Sequence, residues 1–391
     1  MLALGFTLSK AFISIGFIGL CFVGLLQINT IEIKKIQWVG FLLPLSFLIS
    51  AFSIINTEHY PDAFNKLVLK LPLLFFPLLI IAFSKLNEKT RLMCVLVFLY
   101  AMYLPAVVSV YNYAINKTLF DALILESKPL PIEFGYGIYH IQFSVLLAIS
   151  VVLGTYYLLS FRKNVLHYVL LFLTISNAIM IHVLSARTGL LSMYLGLAVV
   201  FVLFIKDFPL KTKVAGIVMA FLLPVLFVFS SSSLRNRMQN TLKDLEVTTQ
   251  QKDPNDHSFA MRIAAWQNAV DVIKKHPLLG VGIGDVEHEL KNNFASFNPI
   301  IIEKNRKNPH NQFLETMVES GILNGVLLLF FAIYIMFYKK KKEGLLLLSA
   351  LAVVLFSASF FESILERQAT VVAFSLVLAF AWQIQNKEKN I

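Results

Sequence analysis

Three side chains in this sequence have types and positions that suit proton transfer and anion binding. His310 precedes an apolar stretch by only a few residues, and an imidazole is the side chain best suited to general-base work near neutral pH. Arg187 lies in a hairpin between two apolar stretches, and Arg262 lies four residues before Trp266. A guanidinium beside a buried face needs an anionic partner. These residues predict a site that binds an anion and moves a proton.

Each of these residues also has a structural interpretation, which the sequence leaves open. His310 suits the start of a helix in an Asn- and Pro-rich cap. Arg187 suits an interface anchor or an anionic-lipid contact, and Arg262 suits a local ion pair or a side chain that extends to water. Glu315 and Glu319 follow one turn apart on one helix, where they are expected to face a cavity or to pair with arginines of the preceding loop. For Glu319 we favour the structural role.

The elements that must position these residues are mostly apolar. Apolar residues make up 57% of the chain and charged residues 15%, whereas a soluble domain carries about a quarter charged residues. Repeated apolar runs of about eighteen or more residues are typical of transmembrane helices. The sequence predicts an all-α polytopic membrane protein with about eleven or twelve transmembrane helices and one large helical loop outside the membrane. The eleven predicted spans lie near residues 3–27, 38–55, 67–83, 92–114, 139–159, 165–184, 189–205, 214–230, 315–338, 344–361 and 368–385.

One long hydrophilic segment divides the chain into three parts that form one integral domain. Residues 1–230 are an N-terminal transmembrane bundle, residues 231–312 the helical loop, and residues 313–391 the C-terminal transmembrane helices. Most Lys and Arg residues of the short loops fall on one side, so the positive-inside rule places the long loop on the outer side. The net charge of +11 is largely explained by this bias, and no nucleic-acid partner is predicted.

Three helices are predicted within the hydrophilic segment, over residues 234–246, 258–275 and 285–294. In the second helix, apolar residues at helical spacing predict a buried stripe. The stripe consists of Ile263, Trp266, Val270 and Ile273.

Alternating glycines at positions 280, 282 and 284 precede the third helix. They favour a tight turn that docks the loop on the membrane bundle over a set of exposed amides that binds phosphate. A dinucleotide fold is excluded because no strand precedes the glycines and their spacing is not GxGxxG.

No metal site and no cofactor are predicted. The other histidines show no ligand spacing, and neither a Cys/His cluster nor an Asp-x-Asp pair occurs in the sequence. Cys21 and Cys94 both fall within predicted spans, so no disulfide framework is expected.

Three motifs in order resemble the O-antigen ligase superfamily. They are SARTGLLSMYLGL at 185–197, R-x3-W at 262–266 followed by HPLLGVGIGD at 276–285, and PHNQFLETMVESGILNGVLLLF at 309–330. The superfamily includes lipopolysaccharide O-antigen ligases, O-antigen polymerases and bacterial protein O-oligosaccharyltransferases. With the many spans and one large loop, the resemblance covers essentially the whole chain. Family members usually have twelve spans with both ends cytoplasmic. The predicted count of eleven differs from this, and the difference concerns the N-terminal region and not the site.

The resemblance implies inverting, metal-independent transfer of a glycan from an undecaprenyl-diphosphate-linked donor to an acceptor hydroxyl. It implies an O-antigen ligase of the bacterial inner membrane, with its active site on the periplasmic face and lipid A core, or another hydroxyl acceptor, as substrate. Membrane lipids are the remaining partners. Carried over by position, Arg187 and Arg262 would hold the donor diphosphate, and His310 would take or orient the proton of the attacking hydroxyl. The supporting residues are Trp266, Glu315 and Glu319.

Other functions remain alternatives. An O-antigen polymerase, whose acceptor is another lipid-linked repeat unit, and a protein O-oligosaccharyltransferase share the same motifs. A transporter or lipid flippase is less favoured, because such proteins usually carry ionisable residues at mid-membrane or repeated halves. In this sequence mid-span charges are nearly absent and no repeat is visible.

Overall fold

The computed structural model is helical, and no strand occurs within the residues that it describes. The described residues are 5–7, 9–28, 36–125, 132, 140–160, 165–204, 232–250, 253–255, 257–298, 300–306, 308–337 and 345–387, with scattered positions between 209 and 229.

Sixteen α-helices are labelled here in chain order. The first nine are α1 (Lys10–Gln27), α2 (Leu42–Phe52), α3 (Tyr60–Leu74), α4 (Phe76–Phe83), α5 (Glu88–Ile115), α6 (Lys117–Leu125), α7 (His140–Ser160), α8 (Val165–Leu184) and α9 (Arg187–Phe204). The others are α10 (Ser232–Thr249), α11 (Ser258–Lys275), α12 (Val286–Phe297), α13 (Gln312–Ser320), α14 (Ile322–Phe337), α15 (Leu345–Ser359) and α16 (Gln368–Lys387).

The apolar helices are long enough to cross a membrane. Within the described residues, six helical segments have the length and hydropathy of a full span, and four shorter apolar helices accompany them. An α-helix satisfies all its backbone hydrogen bonds internally, which is the requirement for crossing hydrocarbon. The predicted helical polytopic membrane fold is therefore confirmed. Most of the predicted span 214–230, and most of the basic loops, lie outside the described residues.

The centre of the membrane bundle is α7, which packs against α5, α8, α9 and α15. Asn177 on α8 joins α7 to α5: its Nδ2 donates to Ser150 Oγ on α7 at 3.1 Å and to the Leu99 carbonyl on α5 at 3.1 Å. Gly189 on α9 lies so close to α7 that an added Cβ would be 2.4 Å from Ser144 Oγ. Small residues and internal hydrogen bonds allow this close packing in lipid.

The three helices of the hydrophilic segment lie close to their predicted positions, and α11 matches its predicted bounds. They pack on one face of the bundle, which we call the loop face. Of the predicted stripe on α11, Ile273 is buried and Ile263 and Trp266 are half-buried. Val270 is wrongly predicted, because it is 40% exposed, whereas Ala264, Asn268 and Ala269 are buried. Small side chains let α11 approach α12 and α13 closely, and Asn268 Nδ2 donates to the Leu290 carbonyl at 3.0 Å.

The predicted span 315–338 is also wrong at its start. Gly321, with φ +90°, separates α13 from α14, so the acidic residues lie on a short helix before the apolar one. The Ile322 N–H donates to the Pro277 carbonyl at 2.9 Å. A Cβ at Gly321 would lie 2.0 Å from the Leu278 carbonyl oxygen. Hydrophobicity alone does not reveal this break, because it depends on the approach of a distant chain segment.

The glycine-rich turn docks the hydrophilic segment on the bundle, as the sequence favoured. The Val281 and Gly282 amides donate to the Val318 and Glu319 carbonyls at 2.8 and 3.1 Å. The Gly284 amide donates to Thr57 Oγ1 at 3.2 Å. These amides donate within the protein and are therefore not free to bind a phosphate.

Asp285 completes the docking at the junction between α2 and α3. Its carboxylate accepts the Glu58 N–H at 2.6 Å and the His59 N–H at 3.0 Å, and it contacts the His59 ring. Burial raises the pKa of Asp285, but these hydrogen bonds outweigh it and hold the pKa below its ordinary value. The turn is thus held by an ionised carboxylate.

We expect Gly280→Ala to destabilise the folded protein. Gly280 has φ +67°, and a Cβ there would lie 2.5 Å from the Glu319 backbone, so both strain and a clash oppose the substitution. The expected loss is about 1–3 kcal/mol, seen as a lower midpoint of thermal unfolding in detergent. Gly19→Ala is the matched control, because nothing lies within 4 Å of its added Cβ. Equal midpoints for the two variants would contradict this account of the turn.

Candidate functional site on the loop face

One face of α11 connects the predicted site residues. Ser258, Arg262 and Trp266 follow each other at intervals of four residues, so they lie one above the other along the helix. Arg187 reaches the first of these residues, and Trp266 reaches the segment that carries His310. A side chain of α11 takes part in each of these contacts, so the position of this helix sets the geometry of the site.

Arg187 begins α9 and points from the hairpin into the hydrophilic segment. Its guanidinium donates to Thr241 Oγ1 on α10 at 2.5 Å and to Ser258 Oγ on α11 at 3.3 Å. The hairpin itself is tightly held: Ser185 has φ +52°, and its hydroxyl lies 2.5 Å from Ser233 Oγ. A left-handed conformation is uncommon for a residue other than glycine and persists only where the surroundings impose it.

Asp244 on α10 supplies negative charge near the start of α11. It is buried, accepts the Phe259 N–H at 2.9 Å and lies 3.0 Å from His257 Nδ1. A carboxylate at this position satisfies a free amide of the first helical turn. Its charge also acts on the two arginines.

Charges of both signs act on Arg262. Burial lowers its pKa, the carboxylates of Glu362 and Asp244 raise it, and the nearby Arg187 lowers it. The two guanidinium groups are therefore close enough to repel each other. An anion bound between them would relieve this repulsion and the cost of burial.

His310 follows a segment that is anchored at two points. Trp266 Nε1 donates to the Pro309 carbonyl at 2.8 Å, and Asn311 caps α13 by accepting the Phe313 and Leu314 amides at 3.0 and 3.1 Å. Between these anchors His310 has φ +48°, and its Nδ1 lies 3.3 Å from Glu362 Oε2. The imidazole is partly exposed and oriented by a carboxylate.

A cavity of about 690 Å³ opens beside His310. Its wall combines carboxylates, a hydroxyl and cationic groups, a composition suited to a substrate with many hydroxyl groups. Its lining includes His310, Glu315, Glu362, Ser363, Glu366 and Arg367.

Glu319 lies away from this cavity in a buried ion-pair cluster. Lys70 on α3 contacts the carboxylates of Glu319 and of Glu366, the latter at 2.7 Å. Lys70 is 3% exposed and Glu319 0%. The structural role favoured for Glu319 agrees with this geometry, but its partner is a lysine of the bundle and not an arginine of the loop.

Glu315 is buried beside the cavity and hydrogen-bonded at both oxygens. Asn308 Nδ2 donates to Oε1 at 2.9 Å, and the Ser363 hydroxyl donates to Oε2. The expected arginine partner is not among these contacts. Glu315 instead joins the segment before α13 to the hairpin between α15 and α16.

That last hairpin is the part of the site that sequence reasoning missed. No role at the site is predicted from the sequence for Glu362, Glu366 or Arg367, or for Lys70, which pairs with Glu366. The available signal was the same one that drew attention to Arg187, namely charged residues in a short hairpin between two apolar spans. Nothing in the sequence indicated that this hairpin meets His310.

The part of the chain that the structure describes holds no group of three or more His, Cys, Asp or Glu side chains arranged to bind a metal ion. Positive charge at the site comes from arginine and lysine side chains. These groups are the ones available to bind an anion.

Fold and site together define a polytopic helical membrane protein with a charged site on one face. A family model described as O-antigen ligase matches residues 169–330, from within α8 to within α14. The match supports membership of the O-antigen ligase superfamily, and the resemblance predicted from the sequence is confirmed. The matched segment contains Arg187, Arg262 and His310. The family implies glycan transfer of the ligase or polymerase type. No curated protein matches the chain.

We expect Lys70→Met to destabilise the protein strongly, because it leaves Glu319 and Glu366 buried without their cation. Removing one partner of a buried ion pair costs about 3–5 kcal/mol. Thermal unfolding and size-exclusion chromatography in detergent measure the effect, with Lys117→Met, at an exposed position of α6, as the control. Adding Glu319→Gln to Lys70→Met is expected to recover part of the loss. An unchanged midpoint for Lys70→Met would refute the role of this cluster.

Proposed function

We propose that this protein transfers a glycan from an undecaprenyl-diphosphate-linked donor to an acceptor hydroxyl, as an O-antigen ligase. The observation that carries the proposal is the meeting of Arg187 and Arg262 on one face of α11, on the same side of the bundle as His310. The family match spans all three residues. The acceptor in this proposal is lipid A core or a related hydroxyl-bearing glycan.

The two arginines are assigned to the diphosphate of the donor. A diphosphate gains negative charge as its bond to the sugar breaks, and preorganised cations lower the energy of that transition state. Guanidinium groups suit this role because their planar donors match phosphate oxygens in pairs. Arg187 donates to neutral hydroxyl acceptors, which a phosphate can displace at little electrostatic cost.

His310 is assigned as the general base. Its imidazole faces the cavity and takes the proton of the acceptor hydroxyl as the oxygen attacks the anomeric carbon. A single displacement by this oxygen, opposite the leaving diphosphate, inverts the anomeric centre. Trp266 and Glu315 hold the segment and the hairpin that flank the base.

The proposed setting is the bacterial inner membrane, with the loop face in the periplasm. The positive-inside bias of the short loops supports this orientation.

Arg187→Ala and Arg262→Ala are each expected to lower the rate of glycan transfer at least about 100-fold, because each removes a charge that stabilises the leaving diphosphate. Transfer is measured with purified protein in nanodiscs, lipid-linked donor and acceptor. Arg235→Ala is the matched control, since this exposed arginine of α10 donates to the Phe229 carbonyl. Full activity in both Ala variants of the proposed site would remove the diphosphate assignment.

Surface glycan from cells that lack this protein, complemented with wild type or His310→Ala, tests the proposed activity. In the deletion and in His310→Ala we expect core without polymer and long chains accumulated on the carrier lipid. Single repeat units still attached to the core would instead identify a polymerase. Unchanged glycans in every strain would contradict both activities.

A further inference from the structure

Glu362 lies between the two groups to which the proposed function gives separate roles. Its Oε2 is 3.3 Å from His310 Nδ1, and its side chain is 13% exposed. Among the acidic groups that act on Arg262, Glu362 has the largest effect. The same carboxylate therefore contacts the predicted base and acts through its charge on a predicted diphosphate-binding arginine.

The contact with His310 selects the tautomer that a base requires. A carboxylate accepts a hydrogen bond from Nδ1–H, which leaves the lone pair on Nε2 available for a proton. The backbone around His310 is anchored by Trp266 and Asn311, so the ring orientation depends on its side-chain partner. Glu362 is that partner.

The charge of Glu362 also acts on Arg262, which lies one turn of α11 before Trp266 and its hydrogen bond to the Pro309 carbonyl. The arrangement is therefore sensitive to an anion bound at Arg262. A carboxylate that lies near two groups interacts more strongly with the one that carries more positive charge. When a diphosphate binds the guanidinium, it supplies the charge that Glu362 had supplied and also repels the carboxylate. Glu362 then interacts more strongly with His310.

We propose that Glu362 is a positioning residue that couples occupancy of the diphosphate site to the orientation of His310. The proposal rests on the function proposed above. In the transfer step the acceptor oxygen forms its bond to the anomeric carbon, and the diphosphate leaves with the electron pair of the broken bond. The acceptor proton passes to His310 Nε2, and Glu362 stabilises the resulting imidazolium through Nδ1–H.

Other charges near Glu362 come from each element around the cavity. Arg262 belongs to α11, His310 to the segment before α13, and Glu315 to α13, while Glu366 and Arg367 share the hairpin with Glu362. The remaining charged groups of the cavity wall are Glu287 and Lys291 on α12 and Glu303, Lys304 and Arg306 in the segment that follows it. Glu315 is hydrogen-bonded to Ser363 and Asn308, and Glu366 is paired with Lys70. Substitution of Glu362 therefore changes the charge beside His310 without directly breaking these contacts.

Steady-state transfer by Glu362→Gln, in nanodiscs with saturating donor, is the first arm of the test. We expect kcat to fall about tenfold or more with little change in the KM for acceptor, because the imidazole loses the carboxylate that fixes its tautomer and orientation. Glu362→Asp, which retains the carboxylate, is expected to recover part of the loss. Glu246→Gln, exposed on α10, is the matched control and is expected to keep the wild-type kcat.

Binding of undecaprenyl diphosphate is the second arm and requires no transfer. Glu362→Gln is expected to bind this probe about threefold to tenfold more tightly than wild type, because Arg262 then lacks the competing carboxylate. Glu362→Asp retains the charge and is expected to bind as wild type does. A variant that is merely damaged would bind more weakly and turn over more slowly.

The two arms separate failure of this inference from failure of the proposed function. If wild type transfers glycan and Glu362→Gln keeps the wild-type kcat, the positioning role is overturned and the function stands. If wild type transfers no glycan, the proposed function fails, and the binding measurement still tests whether the charge of Glu362 acts on Arg262. In either case, if Glu362→Gln binds undecaprenyl diphosphate as tightly as wild type or more weakly, the proposed effect of Glu362 on Arg262 is overturned.

Discussion

The ion pairs of Lys70 with Glu319 and Glu366 are the constraint on which the loop face depends. Charges can be buried at a membrane boundary only if each has a partner. Here one lysine of the bundle joins α13 to the hairpin between α15 and α16. His310 lies just before α13, and Glu362 lies four residues before Glu366. The buried cluster thus sets the distance between the predicted base and its carboxylate.

The helix α11 provides the second constraint, because it spans the site from end to end. Ser258 meets Arg187 at one end, Trp266 meets Pro309 at the other, and Arg262 lies between them. Ala260, Ala264 and Asn268, which are buried on the opposite face, let the helix pack closely on its neighbours. Rigid packing of one face is what allows the other face to carry two unlike functional groups.

Features that depend on a local pattern of residues were predicted correctly from the sequence. The family, the bounds of α11 and the docking role of the glycine turn were all predicted, because long apolar runs, helix caps and turn glycines are local signals. It failed on Val270 in the stripe of α11 and on the start of α14. In both cases a neighbouring element decided the outcome, through close packing of Ala and Asn or through the approach of the Leu278 carbonyl to Gly321. The roles of Arg187, Arg262 and His310 remain predictions.

By itself, the sequence determined the class of protein and the side chains available for chemistry. A helix that crosses lipid depends on its own composition, and a histidine or an arginine has its chemistry wherever it lies. Only the tertiary structure decided which charges meet. Lys70, Glu362 and Arg262 are far apart along the chain, and their proximity follows from the packing of α3, α11 and the last hairpin. Pairing of charges is a property of distance in space, and a linear pattern of residues does not encode that distance locally.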